Sequence, residues 1–246
     1  MTAKDNRASA FTRIELVVVT ALLAVLIYVF ILPMFARARQ NTMPIRCINN
    51  MKQIGIAYRI WSNDNGDKFP AEVPQALGGW RELALSTNAR AFAWTNYAAM
   101  AIEMGQSAKI VVCPKDERQP APSFTNISNT NVSYFIGPGA DEDFPQAILG
   151  GDRNLSPGMT PHDDYGFSPA DDSGNDVTTK GPVCWSLKMH SEGSSFGRGN
   201  IMLADGSVSE VGYRGLILNS IRPAMEAYRN ITNGPVSSNG IRLIFP

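Results

Sequence analysis

The hydrophobic pattern of the first 60 residues predicts a long helix with two different surroundings. Residues 16–36 form an apolar run of 21 residues that contains no charge. At about 1.5 Å per residue, a helical run of this length measures roughly 30 Å, the thickness of the hydrocarbon core of a bilayer. We therefore predict a membrane-spanning helix. The alternative, a buried helix of a soluble core, seldom holds so long a run without charge.

Further along, apolar residues recur at helical spacing. They occupy positions 47, 51, 54, 58 and 61, at intervals of 4, 3, 4 and 3 residues. Such a stripe predicts a helix that packs against a sheet. Pro33 and Pro44 lack a backbone donor, so we expect a kink or an interruption at each.

Short apolar runs in the remaining chain predict strands over residues 109–113, 132–136, 147–149, 183–187 and 241–245. Asp205-Gly206 lies between two further runs, which predicts a hairpin with a two-residue turn of positive φ. Helical patterns cover residues 81–85, 89–105 and 216–228, and long Pro- and Gly-containing loops occupy 137–181. The predicted class is α+β: a long N-terminal transmembrane α-helix packed on a small antiparallel β-sheet with long loop insertions.

The zero net charge hides an asymmetry. Of 22 basic and 22 acidic residues, residues 1–61 hold eight and two, so residues 62–246 hold 14 and 20. A basic, apolar start suits a membrane, and a mildly acidic remainder suits a soluble domain. No basic face with interleaved aromatic residues appears, so nucleic acid is not a predicted partner.

The leader ahead of the apolar run differs from a secretory signal. The small residues Ala8, Ser9 and Ala10 precede the run, whereas signal peptidase cuts after it. Glu15 lies one position ahead of the run, where a carboxylate costs less than at the centre of a bilayer.

The segment Phe11-Thr12-Arg13-Ile14-Glu15, followed by an apolar helix, resembles the prepilin cleavage and methylation signature of type IV pilins and type II secretion pseudopilins. The resemblance implies that a prepilin peptidase cuts between Ala10 and Phe11 and that Phe11 is then N-methylated. It also implies that Glu15 pairs with the N-terminal ammonium of a neighbouring subunit. Ala10 replaces the usual glycine and Arg13 replaces an apolar residue. A plain single-pass anchor with an interfacial Glu is the alternative interpretation.

Later segments resemble a branch of these proteins with a C-terminal processing-associated module, named for a His followed by Asp-Gly. Those segments are residues 47–55, 64–66, 69–70, 113–116, 133–134 and 151–154. Here His190 and Asp205-Gly206 are separated by 14 residues, more than is usual in the family. The resemblance implies a Cys47–Cys113 disulfide. Three cysteines allow one bridge and leave one thiol over, and three buried reduced cysteines remain the alternative.

Catalytic and metal-binding patterns are weak in this chain. Residues 193–197 lack the strand-turn-helix context of a nucleophile elbow, and the histidines and cysteines are too scattered to predict a zinc site. We therefore predict no enzyme activity and no cofactor. The acidic stretch 141–176 makes Ca²⁺ a minority hypothesis with Asp171, Asp172 and Asp176 as candidate ligands, against the alternative of a solvated loop.

These observations predict three segments: a leader (1–10), an assembly helix (11–62) and an extracytoplasmic pilin-like domain (63–246). The expected protein is a single-pass inner-membrane subunit of a type IV pilus-like or type II secretion-like filament. Its expected partners are membrane lipid, like subunits, a prepilin peptidase and an inner-membrane assembly platform. Basic residues flank both ends of the span, so orientation follows the family resemblance. The alternative is a membrane-anchored extracytoplasmic binding protein or enzyme.

Overall fold

A computed structural model describes most of the chain in two compact units. The division falls between Met43 and Pro44, so the units are Met1–Met43 and Pro44–Pro246. The residues that the structure describes are 12–86, 92–179, 182–191, 196–212 and 241–246. The predicted helix over 216–228 lies outside them.

The first unit contains the apolar helix that the hydrophobic run predicts. Helix α1 (Arg13–Leu26) is followed by a π-helical turn (Ile27–Ile31), and α2 (Leu32–Asp64) begins directly after it. The helical stretch Arg13–Ile31 is long and apolar enough to cross a membrane, and none of it is buried against the protein. Its Leu, Ile, Val and Phe side chains are exposed, which is unfavourable in water and favourable in lipid.

The helix continues past both Pro33 and Pro44. Pro33 is the second residue of α2 and has no N–H to donate to the preceding turn, and the π-helical turn ends two residues ahead of it. Pro44 lies inside α2, which continues past it to Asp64. Pro44 therefore does not interrupt the helix.

The second unit is built around the apolar stripe of α2. Cys47, Met51, Ile54, Tyr58 and Trp61 are all buried, as their spacing predicts. They belong to one core cluster with side chains from the sheet. Burying a large apolar side chain contributes about 1.5–3 kcal/mol, so this stripe is a major source of stability for the domain.

Among the described residues, eight strands form two antiparallel sheets. Their bounds are β1 (Tyr134–Ile136), β2 (Ile148–Asp152), β3 (Leu155–Pro157), β4 (Asn175–Thr179), β5 (Val183–Trp185), β6 (Arg198–Leu203), β7 (Val208–Gly212) and β8 (Ile241–Phe245). Six of them form a sheet in the order β4-β8-β1-β2-β6-β7, and β3 pairs with β5. All pairings are antiparallel. The α+β class with α2 on an antiparallel sheet is confirmed.

The remaining helices are short. Helix α3 (Arg81–Leu85) matches its prediction, and α4 (Ala93–Ala99) occupies the middle of its predicted range. Single 3₁₀ turns occur at Pro70–Glu72, Gln75–Leu77, Ala108–Val111, Phe124–Asn126 and Asn129–Asn131.

The predicted strand over 109–113 is wrong, because Ala108–Val111 forms a 3₁₀ turn. Ala108 and Val111 are buried while Lys109 is exposed, a spacing of three that fits a helical turn. A short apolar run does not by itself distinguish a strand from such a turn.

The predicted hairpin forms between β6 and β7, but its turn is longer than two residues. The N–H of Gly206 donates to the carbonyl of Leu203 at 2.9 Å, and the N–H of Leu203 donates to the carbonyl of Ser207 at 2.9 Å. Gly206 has a φ of +80°, whereas Asp205 is not in the positive-φ region. The connection is therefore a turn followed by a left-handed glycine, the arrangement of a longer hairpin loop.

Candidate functional site

Glu15 lies at the start of α1, where it forms a capping box with Thr12. Its Oε2 accepts hydrogen bonds from the N–H of Thr12 at 2.8 Å and from the Thr12 hydroxyl at 2.9 Å. The N–H of Glu15 in turn donates to the Thr12 hydroxyl oxygen at 3.3 Å. These bonds satisfy backbone donors that a helix start leaves open, and the carboxylate also lies near the positive end of the helix dipole. Within one chain, Glu15 therefore stabilises its own helix.

The two predicted processing residues precede this cap in the sequence. Ala10 and Phe11 lie outside the described residues. The described chain begins at Thr12, and every residue from Thr12 to Ile31 is exposed.

A disulfide joins the start of the α2 stripe to a loop of the domain. Cys47 and Cys113 are bonded, with Cα atoms 5.0 Å apart and 66 residues of separation. The predicted pairing is confirmed. Cys184 is the free cysteine and is buried, with its thiol donating to the carbonyl of Thr160. Near the bridge, the amide of Asn50 donates to the carbonyl of Val112 at 3.0 Å, which holds the same loop to α2.

His190 packs beside this disulfide in a buried polar group. Its Nε2 lies 3.5 Å from Cys113 Sγ, 3.2 Å from Asp152 Oδ2 and 3.3 Å from Asn200 Nδ2. Asn200 donates to Asp152 Oδ2 from its backbone N–H at 2.6 Å and from its side chain at 2.8 Å. Burial by itself would lower the pKa of His190, but the Asp152 carboxylate raises it above its ordinary value.

A second buried pair, Asp116 and Arg153, lies close to the first in sequence. Arg153 binds Asp116 through two bonds, Nε to Oδ2 at 2.7 Å and Nη2 to Oδ1 at 2.8 Å. The Arg153 guanidinium also stacks 3.3 Å from the ring centroid of Tyr165. Burial alone would raise the pKa of the Asp116 carboxyl, but its bonds to Arg153 hold it below its ordinary value.

Three of the segments that carry the family resemblance, residues 113–116, 133–134 and 151–154, meet in space. Asp116 from residues 113–116 pairs with Arg153 from residues 151–154, and the backbone N–H of Arg153 donates to the carbonyl of Ser133. The buried amide of Asn154 donates to the carbonyls of Lys188 at 3.0 Å and Arg198 at 2.9 Å. These contacts connect the two residues after β2 to three loops and to the start of β6, so the arrangement is a folding framework near the disulfide.

His190 and Asp205-Gly206 do not form a common site in the described structure. The carboxylate of Asp205 accepts the backbone N–H of Ser207 at 2.8 Å, as a turn residue does. Its carbonyl accepts a bond from Arg59 of α2 at 3.3 Å. The partners of His190 are instead Asp152, Asn200 and Cys113.

The candidate calcium ligands are bound to three different parts of the domain. Asp171 accepts bonds from Ser173 within its own loop. Asp172 accepts the backbone N–H of Asn129 at 2.7 Å. Asp176 forms an ion pair with Arg242. Among the described residues, these carboxylates are not gathered into a cation site.

Sequence patterns alone did not identify the partners of His190 and Asp116 in the buried polar clusters. Asp152, Asn200 and Arg153 come from β2, β6 and the residue after β2, and their spacing contains no pattern that predicts their contacts. The resemblance marked residues 151–154 without assigning them a partner. Burying a charged residue requires a partner, and the partner becomes visible only in the folded chain.

Comparison with known proteins adds no further assignment. No protein-family model, no curated protein and no solved structure matches the chain.

Proposed function

We propose that the chain is a pilin-like structural subunit of a type IV pilus-like or type II secretion-like filament. The apolar helix Arg13–Ile31 would anchor it in the cytoplasmic membrane, and the domain 44–246 would lie on the extracytoplasmic side. It acts through assembly with like subunits on an inner-membrane platform and not through catalysis. The Cys47–Cys113 disulfide supports an oxidising compartment for the domain.

The observation that carries this proposal is the composition of the first helix. The helix is capped at its start, carries no charge after Glu15 and exposes every side chain, so none of the described residues covers it. It is followed by α2, which supplies the core stripe of the domain. Lipid or the corresponding helices of other copies would cover the exposed side chains.

Processing of the leader is the first test. The proposal expects cleavage between Ala10 and Phe11 and one methyl group on the Phe11 amine. Intact-mass measurement of the membrane-extracted protein detects both changes. Ala10→Gln should block cleavage because the peptidase requires a small residue there, whereas the matched change Ala8→Gln should be cleaved as wild type. A membrane-anchored binding protein or enzyme would instead keep residues 1–10.

The second test removes the charge of Glu15 while keeping the hydrogen bonds of the helix cap. Glu15→Gln keeps an oxygen that accepts the Thr12 bonds, so the helix cap is preserved while the negative charge is lost. We expect Glu15→Gln to leave helicity and membrane insertion unchanged and to reduce co-purification of tagged with untagged copies. Pairing with another copy's ammonium in a low-dielectric bundle requires the charge.

Arg13→Gln is the matched control for that experiment. It removes a charge of opposite sign two residues away and should leave co-purification close to wild type. Normal co-purification of Glu15→Gln, or an equal loss in both variants, would contradict the role proposed for Glu15.

A further inference from the structure

Three potential metal ligands meet at the disulfide. The ligand atoms of Cys47, Cys113 and His190 all lie within 4.8 Å of one another. Cys47 comes from α2, Cys113 follows the 3₁₀ turn Ala108–Val111, and His190 lies in the loop after β5. Among the described residues this is the one such group of three or more. Both sulfurs and the imidazole are buried, so the packing of the domain holds their positions.

Asp152 supplies a fourth potential ligand. Its Oδ2 lies 3.2 Å from His190 Nε2, and the side chain is fully buried. Its other oxygen, Oδ1, is buried and has no hydrogen-bond partner among the residues that the structure describes. An unpartnered carboxylate oxygen in a protein interior is costly, and a bound cation is one way to satisfy it.

We propose that the reduced form of the domain binds a divalent transition metal ion of the zinc type through Cys47, Cys113, His190 and Asp152. In a tetrahedral site with ordinary zinc bond lengths, nitrogen–oxygen and nitrogen–sulfur edges measure about 3.4 and 3.6 Å. The observed distances, 3.2 Å from His190 to Asp152 and 3.5 Å from His190 to Cys113, lie close to those edges. The two sulfurs must separate to about 3.8 Å once their bond is broken. Asp152 must also move closer to the sulfurs, because it lies outside the group whose ligand atoms are all within 4.8 Å of one another.

Conversion of the disulfide form into the metal-binding form requires a reductant, and a small dithiol serves. The reductant transfers two electrons and two protons to the Cys47–Cys113 disulfide and becomes a cyclic disulfide, leaving two protein thiols. Metal binding then releases the two thiol protons and any proton on His190 Nε2, because the ligands are thiolates and a neutral imidazole. The disulfide and the metal are therefore alternative states of one site.

A cleft leads toward the bridge. It has a volume of about 570 Å³, and its lining includes Asn50, Val112, Cys113 and Asp116. Cys113 forms part of the wall but is not itself exposed, so reduction of the folded chain should be slow.

The experiment uses the full chain in detergent micelles. One sample is reduced with dithiothreitol, freed of it without oxygen and titrated with Co²⁺, and an oxidised sample is treated in parallel. We expect the reduced protein to bind one Co²⁺ with thiolate charge-transfer bands and intense tetrahedral d–d bands, and Zn²⁺ to displace it. The oxidised protein should show neither set of bands.

Variants of the proposed ligands test their roles, and the chain contains a second histidine and a third cysteine that serve as matched controls. His190→Gln keeps both thiols, so a thiol assay remains at the wild-type value while Co²⁺ affinity falls at least about 100-fold. Asp152→Asn should weaken binding by about 10- to 100-fold, the range expected for a ligand or for the group that orients one. Cys184→Ser and His162→Gln change the free cysteine and the other histidine, and both should bind as wild type.

Two results would overturn the proposal. One is Co²⁺ binding with an affinity that His190→Gln and Asp152→Asn leave unchanged, since the metal would then sit elsewhere. The other is a loss of the near-ultraviolet dichroism of buried Trp80 and Trp185 on reduction that Co²⁺ does not restore. Restoration by Co²⁺ would support the proposal, because binding would then stabilise the fold.

Discussion

At the scale of single residues, the domain is notable for the charges that it buries. Arg153 and Asp116 are both almost completely shielded from solvent, and their two-bond contact together with the Tyr165 ring replaces the water that each loses. Removing one partner of such a pair is more costly than the pair's own net contribution, because a buried charge is left alone. Arg118 is likewise satisfied by the carbonyls of Asn129 and Val132.

Asp116→Asn tests the buried ion pair. At neutral pH we expect it to lower the free energy of unfolding by about 3 kcal/mol, because Arg153 keeps its charge and loses its counter-charge. The native pKa of Asp116 is depressed, so between the ordinary carboxyl value and that native value the unfolded chain binds more protons. Wild-type stability therefore falls as pH drops through this window, and the deficit of the variant should shrink. Urea unfolding of both proteins, followed by tryptophan fluorescence at several pH values, measures the difference in their free energies of unfolding. A deficit that is the same at every pH would contradict this account.

The cysteines give a second residue-scale prediction. The chain has three cysteines, and the structure pairs Cys47 with Cys113 while leaving Cys184 as a buried thiol. After unfolding without reductant, a maleimide should therefore label one site, and Cys184→Ser should abolish that label. Peptide mapping should find the Cys47–Cys113 cross-link. Labelling of all three cysteines in the unreduced chain would contradict the pairing.

At the scale of elements, α2 contacts the loop of the β6–β7 hairpin directly. A Cβ added to Gly55 of α2 would lie 3.3 Å from Gly206 Cα in the hairpin loop. Arg59 donates to the carbonyl of Asp205 in the same loop. The hairpin loop thus rests against the helix, and its conformation helps to position the sheet edge.

Gly206→Ala tests the conformation of that loop. Gly206 has a φ of +80°, and an added Cβ would meet no atom within 4 Å, so the cost is conformational and not steric. We expect a loss of about 1–2 kcal/mol in the free energy of unfolding. Gly206→Asn should lose less, since asparagine tolerates this region. Thermal or urea unfolding of the two variants provides the comparison, and equal stability of Gly206→Ala and wild type would contradict the assigned turn.

At the scale of the whole molecule, the chain divides into two units, and the exposed apolar stretch Arg13–Ile31 belongs to the first while the packed core belongs to the second. The division at Met43/Pro44 lies inside the segment 11–62 that the sequence predicts as an assembly helix. One side of the second half of that segment belongs to the core. Cys47, Met51, Ile54, Tyr58 and Trp61 are inside the unit Pro44–Pro246 and are buried there.

Two truncations test this division. Removing residues 1–43 should give a water-soluble protein that stays folded, because the buried stripe of α2 and the disulfide are retained. Removing residues 1–62 should prevent folding: the lost side chains contribute about 1.5–3 kcal/mol each, and a domain has a net stability of only about 5–15 kcal/mol. Circular dichroism and gel filtration of both fragments measure the difference. A stably folded 63–246 fragment would show that the stripe is dispensable.

The sequence by itself determined the features that depend on local pattern. The exposed helical stretch Arg13–Ile31 follows from the uninterrupted hydrophobicity that begins at Leu16. The α2 stripe follows from a spacing that places Met51, Ile54 and Tyr58 on one side of a helix. The dipeptide Asp205-Gly206 predicted the hairpin because few residue types tolerate the positive φ of a tight turn. Of the two residues, Gly206 adopts a positive φ and Asp205 does not. The Cys47–Cys113 pairing came from family resemblance and not from pattern.

Only the tertiary structure decided which distant residues meet. The run at 109–113 has no periodicity that separates a strand from a turn, and packing made Ala108–Val111 a turn. His190 and Asp152 are 38 residues apart, and sequence spacing does not encode their contact. A buried charge must find a partner, but several carboxylates could serve, and the β2–β6 pairing brings Asp152 and Asn200 together beside His190.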